Sequence, residues 1–407
     1  MESYQTLLVP EPPRNKIRNL TGFWLLGLCN NYAYVIMLSA AHDILGTNFS
    51  NNTGTSITPS NNSSKDCNSL SSGSILLADI LPGLFVKSVA PFIGISTSIR
   101  IILVVALCGA SFALVAFSYV QWMAFFGVIA ASLSSGLGET TLLSYASYFD
   151  KNVISAWSSG TGGSGIFGAL SYAGMTQFLK LSPRHTLLIM LFIPVVMIIS
   201  YYFVLIHPKM DVTPESGLAP LLDENSTQTN TESLGEPTQG IKSKMKLIKI
   251  LWPYALPLMA VYFAEYFINQ GLTELIYFKD IWINHDEQYR WFQVDYQLGV
   301  FISRSSVNLF TINALWILPV LQFANLVVFL IEVQTRFLPS IWLVFILILF
   351  EGLLGGAAYV NTYYKMRQKI PAEKLKFSMA VVPLADTLGI AIAGAIALPV
   401  HMFFCNQ

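Results

Sequence analysis

Charge is what this sequence has least of. Of its 407 residues only 11% are Asp, Glu, Lys or Arg, where a soluble domain carries about 25%. Hydrophobic residues make up 54%, and the mean hydropathy is +0.56. A chain of this length still needs a wetted surface, so the deficit excludes an ordinary soluble globule and points to a surface that mostly faces lipid. The net charge is zero, which gives no electrostatic footprint for a nucleic-acid partner. Cysteine is scarce too: Cys29, Cys67, Cys108 and Cys405 form no C-x-x-C pair, so neither a zinc knuckle nor a dithiol redox motif is indicated. Catalytic signatures such as H-E-x-x-H and G-x-S-x-G are missing, and no two of the five histidines share a helix at ligand spacing. Neither a metal nor a cofactor is expected, and the chain does not read as an enzyme.

Long apolar runs are what the sequence has in abundance. A spanning helix needs about 20 mostly apolar residues. By that measure spans fall near 20–42, 73–95, 99–119, 122–148, 152–178, 185–207, 249–278, 290–310, 312–332, 337–362 and 375–404. The eighth carries Gln293, Asp295, Gln297 and Arg304, and reads as a span buried among other helices. The expected fold is therefore all-α and polytopic, with about eleven spans.

Basic clusters orient the chain. Arg14, Lys16 and Arg18 precede span one, Lys242 to Lys249 precede span seven, and Lys365 to Lys376 lie between spans ten and eleven. Eleven spans put all three clusters on one side, the cytosolic side, together with the tail 1–19. The loop 43–72 then faces the lumen, and it holds four N-x-S/T sequons at Asn48, Asn51, Asn61 and Asn62. Sugar is added only on that side, so sequons and charges agree. Asn19 and Asn225 also match the sequon but fall on the cytosolic side, where they should stay bare.

The stretch 208–248 is rich in Pro, Ser, Thr, Asn and Glu up to its basic end, and reads as a disordered cytosolic linker. It divides the chain into a six-span bundle, 20–207, and a five-span bundle, 249–407. Gly136-Leu137-Gly138-Glu139 in span four is similar to Gly352-Leu353-Leu354-Gly355 in span ten. Six-helix bundles repeated in parallel are the major facilitator architecture, here one span short in the second half.

Ionisable residues at membrane depth cost at least ~2.5–3.5 kcal/mol, so each calls for a reason. Asp79, Lys87, Glu351 and Asp386 are candidates for ion pairs or for coupling. Lys87 lies eight residues after Asp79, about 12 Å along a helix and some 80° around it, so the two are not each other's partner. Three polar stripes follow helical spacing: Tyr262, Glu265, Tyr266, Asn269 and Thr273 in span seven; Gln293, Gln297 and Arg304 in span eight; Ser132, Ser135 and Glu139 in span four. Interhelical hydrogen bonds between such residues contribute only about 0.6 kcal/mol each, little return for a carboxylate at that depth. A shared aqueous path for a solute accounts for the stripes better, with Asn30 and Asn31 of span one as further candidates. Arg304 is the candidate for gripping an anionic group, because its planar fork binds phosphate or carboxylate bidentately. The run Ser158 to Gly165 lacks the Gly-Lys-Ser/Thr ending of a phosphate loop; Gly160, Ser164 and Gly168 read instead as a smooth face for close helix packing, as do Gly352 and Gly356.

Several stretches together resemble the battenin family of lysosomal membrane proteins: Gly22 to Leu45, Leu76 to Pro82, Ser134 to Glu139 (SSGLGE), Trp157 to Gly163 (WSSGTGG), Val261 to Leu272 (VYFAEYFINQGL), Gln288 to Ser306, Glu351 to Thr362 (EGLLGGAAYVNT) and Asp386 to Ile390. They cover nearly every span. The resemblance implies a late endosomal and lysosomal glycoprotein, distantly similar to major facilitators. It further implies a role in clearing glycerophosphodiesters from lysosomes, with effects on lysosomal pH and basic amino acid balance. Family members resemble prenylated proteins at the C-terminus, whereas Cys405 here is followed only by Asn406 and Gln407, one residue short of the box.

Two readings stay open: a transporter for a small anionic or zwitterionic solute such as a glycerophosphodiester, and a membrane scaffold that regulates endolysosomal traffic and pH. Adaptor proteins are expected partners in either case, because Tyr4-Gln5-Thr6-Leu7 fits a tyrosine-based sorting signal and Leu221-Leu222 a dileucine signal.

Overall fold

The structure, a computed structural model, describes residues 13–49, 72–207, 241–279, 281 and 285–405. They fold into helices with no strand among them. The first half holds α1 (Pro13–Phe49), α2 (Ser72–Val89), α3 (Thr97–Ala116), α4 (Gln121–Ala146), α5 (Asn152–Ala173), α6 (Pro183–Ile189) and α7 (Phe192–Ile199). After the linker come α8 (Ile241–Ile250), α9 (Trp252–Phe267), α10 (His285–Ser305), α11 (Ile317–Thr335), α12 (Ile341–Lys369), α13 (Ala372–Val381) and α14 (Pro383–Cys405). Single π-helical turns extend α5, α7 and α9.

Local chemistry sets the boundaries. The Ser182 side chain caps α6 ahead of Pro183 at the first helical position. Ser340 caps the 29-residue α12. That helix stops at Ile370, which is extended because Pro371 follows. The end of α11 is Arg336 in the left-handed region, φ 50°, its N–H returning to the Glu332 carbonyl.

Two boundaries differ from the sequence reading. Helix α1 starts inside the expected 1–19 tail and runs past residue 42, because Asn15 to Asn19 continue the same helical register into polar sequence. The linker 208–248 gives way to helix at Ile241, where lysines alternate with apolar residues at helical spacing. The sequons of 50–71, Tyr4, Leu7, Leu221 and Leu222 lie outside the described residues; Asn48 is in α1. Asn19 is 3% exposed and its Oδ1 accepts the Ile206 N–H at 2.8 Å, so no sugar fits there.

Six described helical stretches are long and apolar enough to cross a membrane: Thr97–Ala116, Trp122–Ala146, Pro183–Val204, Ile317–Thr335, Ile341–Lys369 and Ala372–Val400. That is fewer than eleven. Helices that fall short include those diluted by polar and glycine residues, α5, α9 and α10; α5 packs on α1 and α10, α9 on α14, and α10 on α12. Exposed Ile99, Ile102, Val320 and Val327 line the outer faces of α3 and α11, as lipid contact requires.

The packing repeats with the chain. In the first half α1 packs on α5 and α4, α2 on α4, and α3 on α4; in the second α9 packs on α14 and α12, α10 on α12, and α11 on α12. Contacts across the middle are reciprocal: α5 meets α10, and α14 meets α2. Each half thus supplies one inner helix to the other.

Helix α5 is sandwiched, and glycine permits it. A Cβ at Gly160 would sit on the Trp24 carbonyl of α1, and one at Gly27 of α1 on the Trp157 carbonyl, while Gly162 and Gly165 face Arg304 and Gln297 of α10. On α12, Gly352 and Gly356 meet Tyr296, Val300 and Ser303 of α10 in the same way. Gly160→Val should separate α1 from α5 at a cost of roughly 1–3 kcal/mol. A melting curve of the detergent-purified protein would register this as a drop of several degrees. An unshifted curve would mean that the two backbones do not approach as closely as this.

Candidate substrate cavity

Where the two halves meet, α1, α2, α4, α9, α10, α12 and α14 line a cavity. Five ionisable side chains line it: Asp79, Lys87, Glu139, Arg304 and Asp386, none more than 9% exposed. Asp79, Lys87, Glu139 and Asp386 come from mostly apolar or small-residue helices and Arg304 from the polar α10, so charge, scarce in this sequence, is gathered at its centre.

Lys87 is fully engaged. Its Nζ lies 2.5 Å from Glu139 Oε2 and 3.5 Å from Asp386 Oδ1, and donates to Thr387 Oγ1 at 2.6 Å. These groups join α2, α4 and α14. Asp386 occupies the first turn of α14, where the Thr387 N–H donates to its Oδ1 at 2.6 Å and the helix N-terminus favours an anion. Glu139 also accepts from the Tyr359 hydroxyl at 2.6 Å, and the Trp157 indole N–H donates to that same hydroxyl at 3.1 Å.

Arg304 is held by neutral groups instead. Nη1 donates to Thr161 Oγ1 and Nη2 to the Tyr262 hydroxyl, both at 2.7 Å, and the guanidinium lies 4.1 Å from the centre of the Tyr359 ring. Its Nε has no partner, and no carboxylate lies within ion-pair distance among the described residues. Asp79 is its converse: 0% exposed, with both carboxylate oxygens lacking a hydrogen-bond partner among the described residues. The cavity therefore holds one satisfied triad, Lys87–Glu139–Asp386, and two ionisable groups, Arg304 and Asp79, with no ion-pair partner among the described residues.

The sequence-derived candidates divide between this cavity and a second polar cluster. Asn31, Tyr262, Glu139 and Arg304 line the cavity. Asn30 sits behind it, donating to Asn31 Oδ1 at 3.2 Å and to the Ser135 carbonyl at 3.1 Å. Glu265, Asn269 and Gln293 do not line it. The Tyr296 hydroxyl donates to Glu265 Oε1, Asn269 donates to Glu351 Oε1 at 2.8 Å, and Gln293 donates to Asn269 Oδ1 at 3.3 Å. Helices α9, α10 and α12 build this cluster, and Gly355 makes room for the Glu265 carboxylate. Gln297 lies against Gly165 instead. The single stripe read along span seven is thus split within the regular helix: Tyr262 and Tyr266 line the cavity, while Glu265 turns to α10 and Asn269, in the π turn that follows, to α12.

Ion pairing is realised for Lys87 and Asp386. For Asp79 and Glu351 it is not: no cation lies within ion-pair distance of either among the described residues. Three cavity residues, Tyr34, Tyr359 and Thr387, escaped sequence reasoning, and so did Thr161, which holds Arg304 from α5. Tyr34 and Tyr359 look like ordinary core aromatics in sequence. Thr161 sits in the glycine run read only as a packing face, and Thr387 had one signal, its place beside Asp386.

Comparison with known proteins agrees with this architecture. The sequence model of the CLN3 protein matches residues 21–407. The chain belongs to the CLN3 family. Battenin of Canis lupus familiaris is 46% identical over 425 residues, which is 100% of this chain and 96% of that protein. "Protein BTN1" of Yarrowia lipolytica is 35% identical over 94% of each chain, and "Protein btn-1" of Neurospora crassa 32% identical over 94% of this chain and 88% of its own. Among solved structures, the human organic anion transporter MFSD10 (TETRAN) superposes with TM-score 0.59 at 13% identity, covering 97% of both chains. An inward-facing, unoccupied bacterial homologue of the human lysosomal transporter Spinster gives TM-score 0.53 at 13% identity, over 94% of this chain and 82% of that one. These likenesses establish the fold of this CLN3-family chain: a major-facilitator-like, multi-pass membrane protein, resembling transporters rather than enzymes.

Proposed function

We propose that this CLN3-family protein is a transporter of the lysosomal and late endosomal membrane, and that it exports glycerophosphodiesters from the lysosome. Arg304 carries the proposal. A buried guanidinium without a carboxylate partner is costly unless something else neutralises it. A phosphodiester would do so, entering the cavity to accept from the free Nε while Thr161 and Tyr262 hold the other two nitrogens. Asn31, Ser132 and Ser135 offer partners for glycerol hydroxyls. The decisive experiment is uptake of labelled glycerophosphodiester into proteoliposomes of the purified protein. Uptake no greater than in empty liposomes would remove the reading in favour of a trafficking scaffold, which has no use for an unpaired arginine in a central cavity.

The same reading includes a cytosolic N-terminus, glycans on the lumenal sequons, two bundles of six and five spans, and adaptor recruitment through the two sorting signals. Coupling falls to Glu265. Its carboxylate bonds Tyr296 and lies next to the cavity-lining Tyr266, so it could carry a proton without touching substrate. One pH unit across the membrane is worth about 1.36 kcal/mol per proton, so two units would drive roughly 100-fold accumulation. Glu265→Gln keeps the shape but cannot release a proton. Transport by that variant should lose its dependence on a pH gradient; a retained dependence equal to the wild type would assign coupling elsewhere.

A further inference from the structure

Helices α9, α11 and α12 bury polar atoms that the central cavity does not use. Glu265 and Glu351 are 1% and 0% exposed. Each spends one carboxyl oxygen on a neutral donor, Tyr296 for Glu265 and Asn269 for Glu351, and each leaves Oε2 without a partner. The two carboxyl groups are neighbours. The Glu265 carboxyl fills the space over Gly355, and Gly355 stands one turn, about 6 Å, after Glu351 on the same face of α12. No lysine, arginine or histidine lies within ion-pair distance of either among the described residues.

Helix α11 adds two more unsatisfied groups. Asn325 donates to the Leu347 carbonyl at 3.2 Å, one turn before Glu351, and its Oδ1 has no partner. Helices α11 and α12, joined by residues 336–340, run in opposite directions, so Gln322, one turn back along α11, stands level with Glu351. Its side chain is 0% exposed and neither amide atom has a partner. Of the five atoms left over on these four residues, four are oxygens. Buried groups in this condition call for an ion or a water, and a set of hard oxygens suits a small cation. Helix α11 also packs on the π turn Ile268–Leu272, where carbonyls leave the regular ladder. Arg304, bonded to Tyr262 one turn before Glu265, offsets one carboxylate at most, and burying a second without a counter-charge is costly. The other titratable groups within electrostatic reach of Glu265 are Tyr262 and Tyr266 of α9, Tyr296 of α10 and Asp386 of α14, none of them a cation. Asp295 of α10 bonds the Leu349 backbone.

We infer that Glu265 and Glu351 together bind one monovalent cation, H+ or Na+, at a site inside the second half and apart from the central cavity. The inference rests on the transport reading, in which Glu265 is the coupling residue, and adds Glu351 as its second acceptor. A proton would lie between the two carboxyl groups, one donating to the other. Na+ would draw on Asn325 Oδ1 and Gln322 Oε1 as well. Either ion removes the repulsion between the glutamates and ties α9 to α12.

The test uses the full chain in detergent, with NaCl or N-methylglucamine chloride at equal ionic strength, at mildly acidic and mildly alkaline pH. The bound ion should raise the melting temperature by several degrees. A rise with sodium at alkaline pH, with radioactive sodium bound at one ion per chain, assigns Na+. A rise on acidification without sodium assigns H+. Glu265→Gln and Glu351→Gln should each lose the whole response, and the double variant should lose no more, since one ion needs both groups. Glu332→Gln should keep it, because that α11 carboxyl already accepts the Leu338 N–H at 2.8 Å. A wild type without either response overturns the inference; so does a response that survives in Glu351→Gln, or losses that add in the double variant. If a glutamine variant does not fold, the wild type decides. Dicyclohexylcarbodiimide, which attacks a protonated carboxyl in an apolar setting, should modify one of the two glutamates, and modification of neither overturns the inference. Uptake separates this site from the export reading. If no glycerophosphodiester is transported but the cation response is present and lost in Glu351→Gln, the export reading fails and the site stands. If diesters are transported and no cation response is found, the site fails alone.

Discussion

Arg304→Lys, compared at matched expression, is expected to cut transport of a glycerophosphodiester by at least about tenfold and to leave the protein folded. The substitution keeps the positive charge and removes the fork. In the native site three nitrogens do three things: Nη1 reaches Thr161 on α5, Nη2 reaches Tyr262 on α9, and Nε remains for a ligand. A lysine ammonium cannot span Thr161 and Tyr262 while presenting another donor to the cavity, and it lacks the flat face that lies 4.1 Å from the Tyr359 ring centre. A hydrogen bond to a charged group contributes about 1.5–3 kcal/mol, and 1.4 kcal/mol is a factor of ten, so losing one such bond to substrate accounts for the tenfold floor. Stability should change less, because Lys retains the charge that Tyr262 and Thr161 can still solvate. The measurement is initial uptake into proteoliposomes beside a melting curve. Unaltered uptake would make Arg304 a structural post between α5, α9 and α10. Equal losses of uptake and stability would say the same.

Much of this was legible from residue chemistry alone. The rarity of charge made each buried ionisable residue conspicuous, and Asp79, Lys87, Glu139, Arg304 and Asp386 could all be picked out one by one. The glycine faces at Gly160 and Gly168 were legible as well, because small residues at four-residue spacing have few other uses on an apolar helix; both do meet α1. What could not be read was partnership. Lys87 and Glu139 are 52 positions apart and Lys87 and Asp386 nearly 300, and no periodicity within a helix says which helices will face each other. The repeat helps only in hindsight: α2 and α10 are equivalent inner helices, one carrying Lys87 and the other Arg304, each turned to the opposite half. Neutral residues were hidden for another reason. Tyr359 and Thr161 cost little to bury, so nothing in the sequence asks why they are there. Glu265 misled because a stripe several residues wide was taken as one face, whereas Tyr262 and Tyr266 on its one edge meet the cavity and Glu265 on the other meets Tyr296 and Gly355.

Lys87→Met should be the most damaging single substitution for stability, and its rescue should be specific. Among the described residues the lysine is the only cation bonded to Glu139 and Asp386, and all three side chains are at least 91% buried. Methionine fills nearly the same space, so any loss is electrostatic rather than a cavity effect. Two carboxylates would then face each other across α4 and α14 with only Tyr359 and Thr387 as donors. Removing one partner of a buried ion pair costs about 3–5 kcal/mol, because the remaining charge stays desolvated, whereas replacing every member by neutral groups of the same size is often neutral. The single variant should therefore express poorly and melt many degrees lower. Adding Glu139→Gln and Asp386→Asn to it should restore most of the melting temperature, since the amides keep the shape and the hydrogen bonds. Transport by the triple variant is the informative reading. The triad bridges α2 of the first half to α14 of the second, one of the two reciprocal contacts that must open and close if the halves rock. A stable triple variant that no longer transports would show that the triad times this motion rather than merely holding the bundle together. A single variant as stable as the wild type would mean that Glu139 and Asp386 are already neutral in the folded protein, and the central charge count would have to be redrawn.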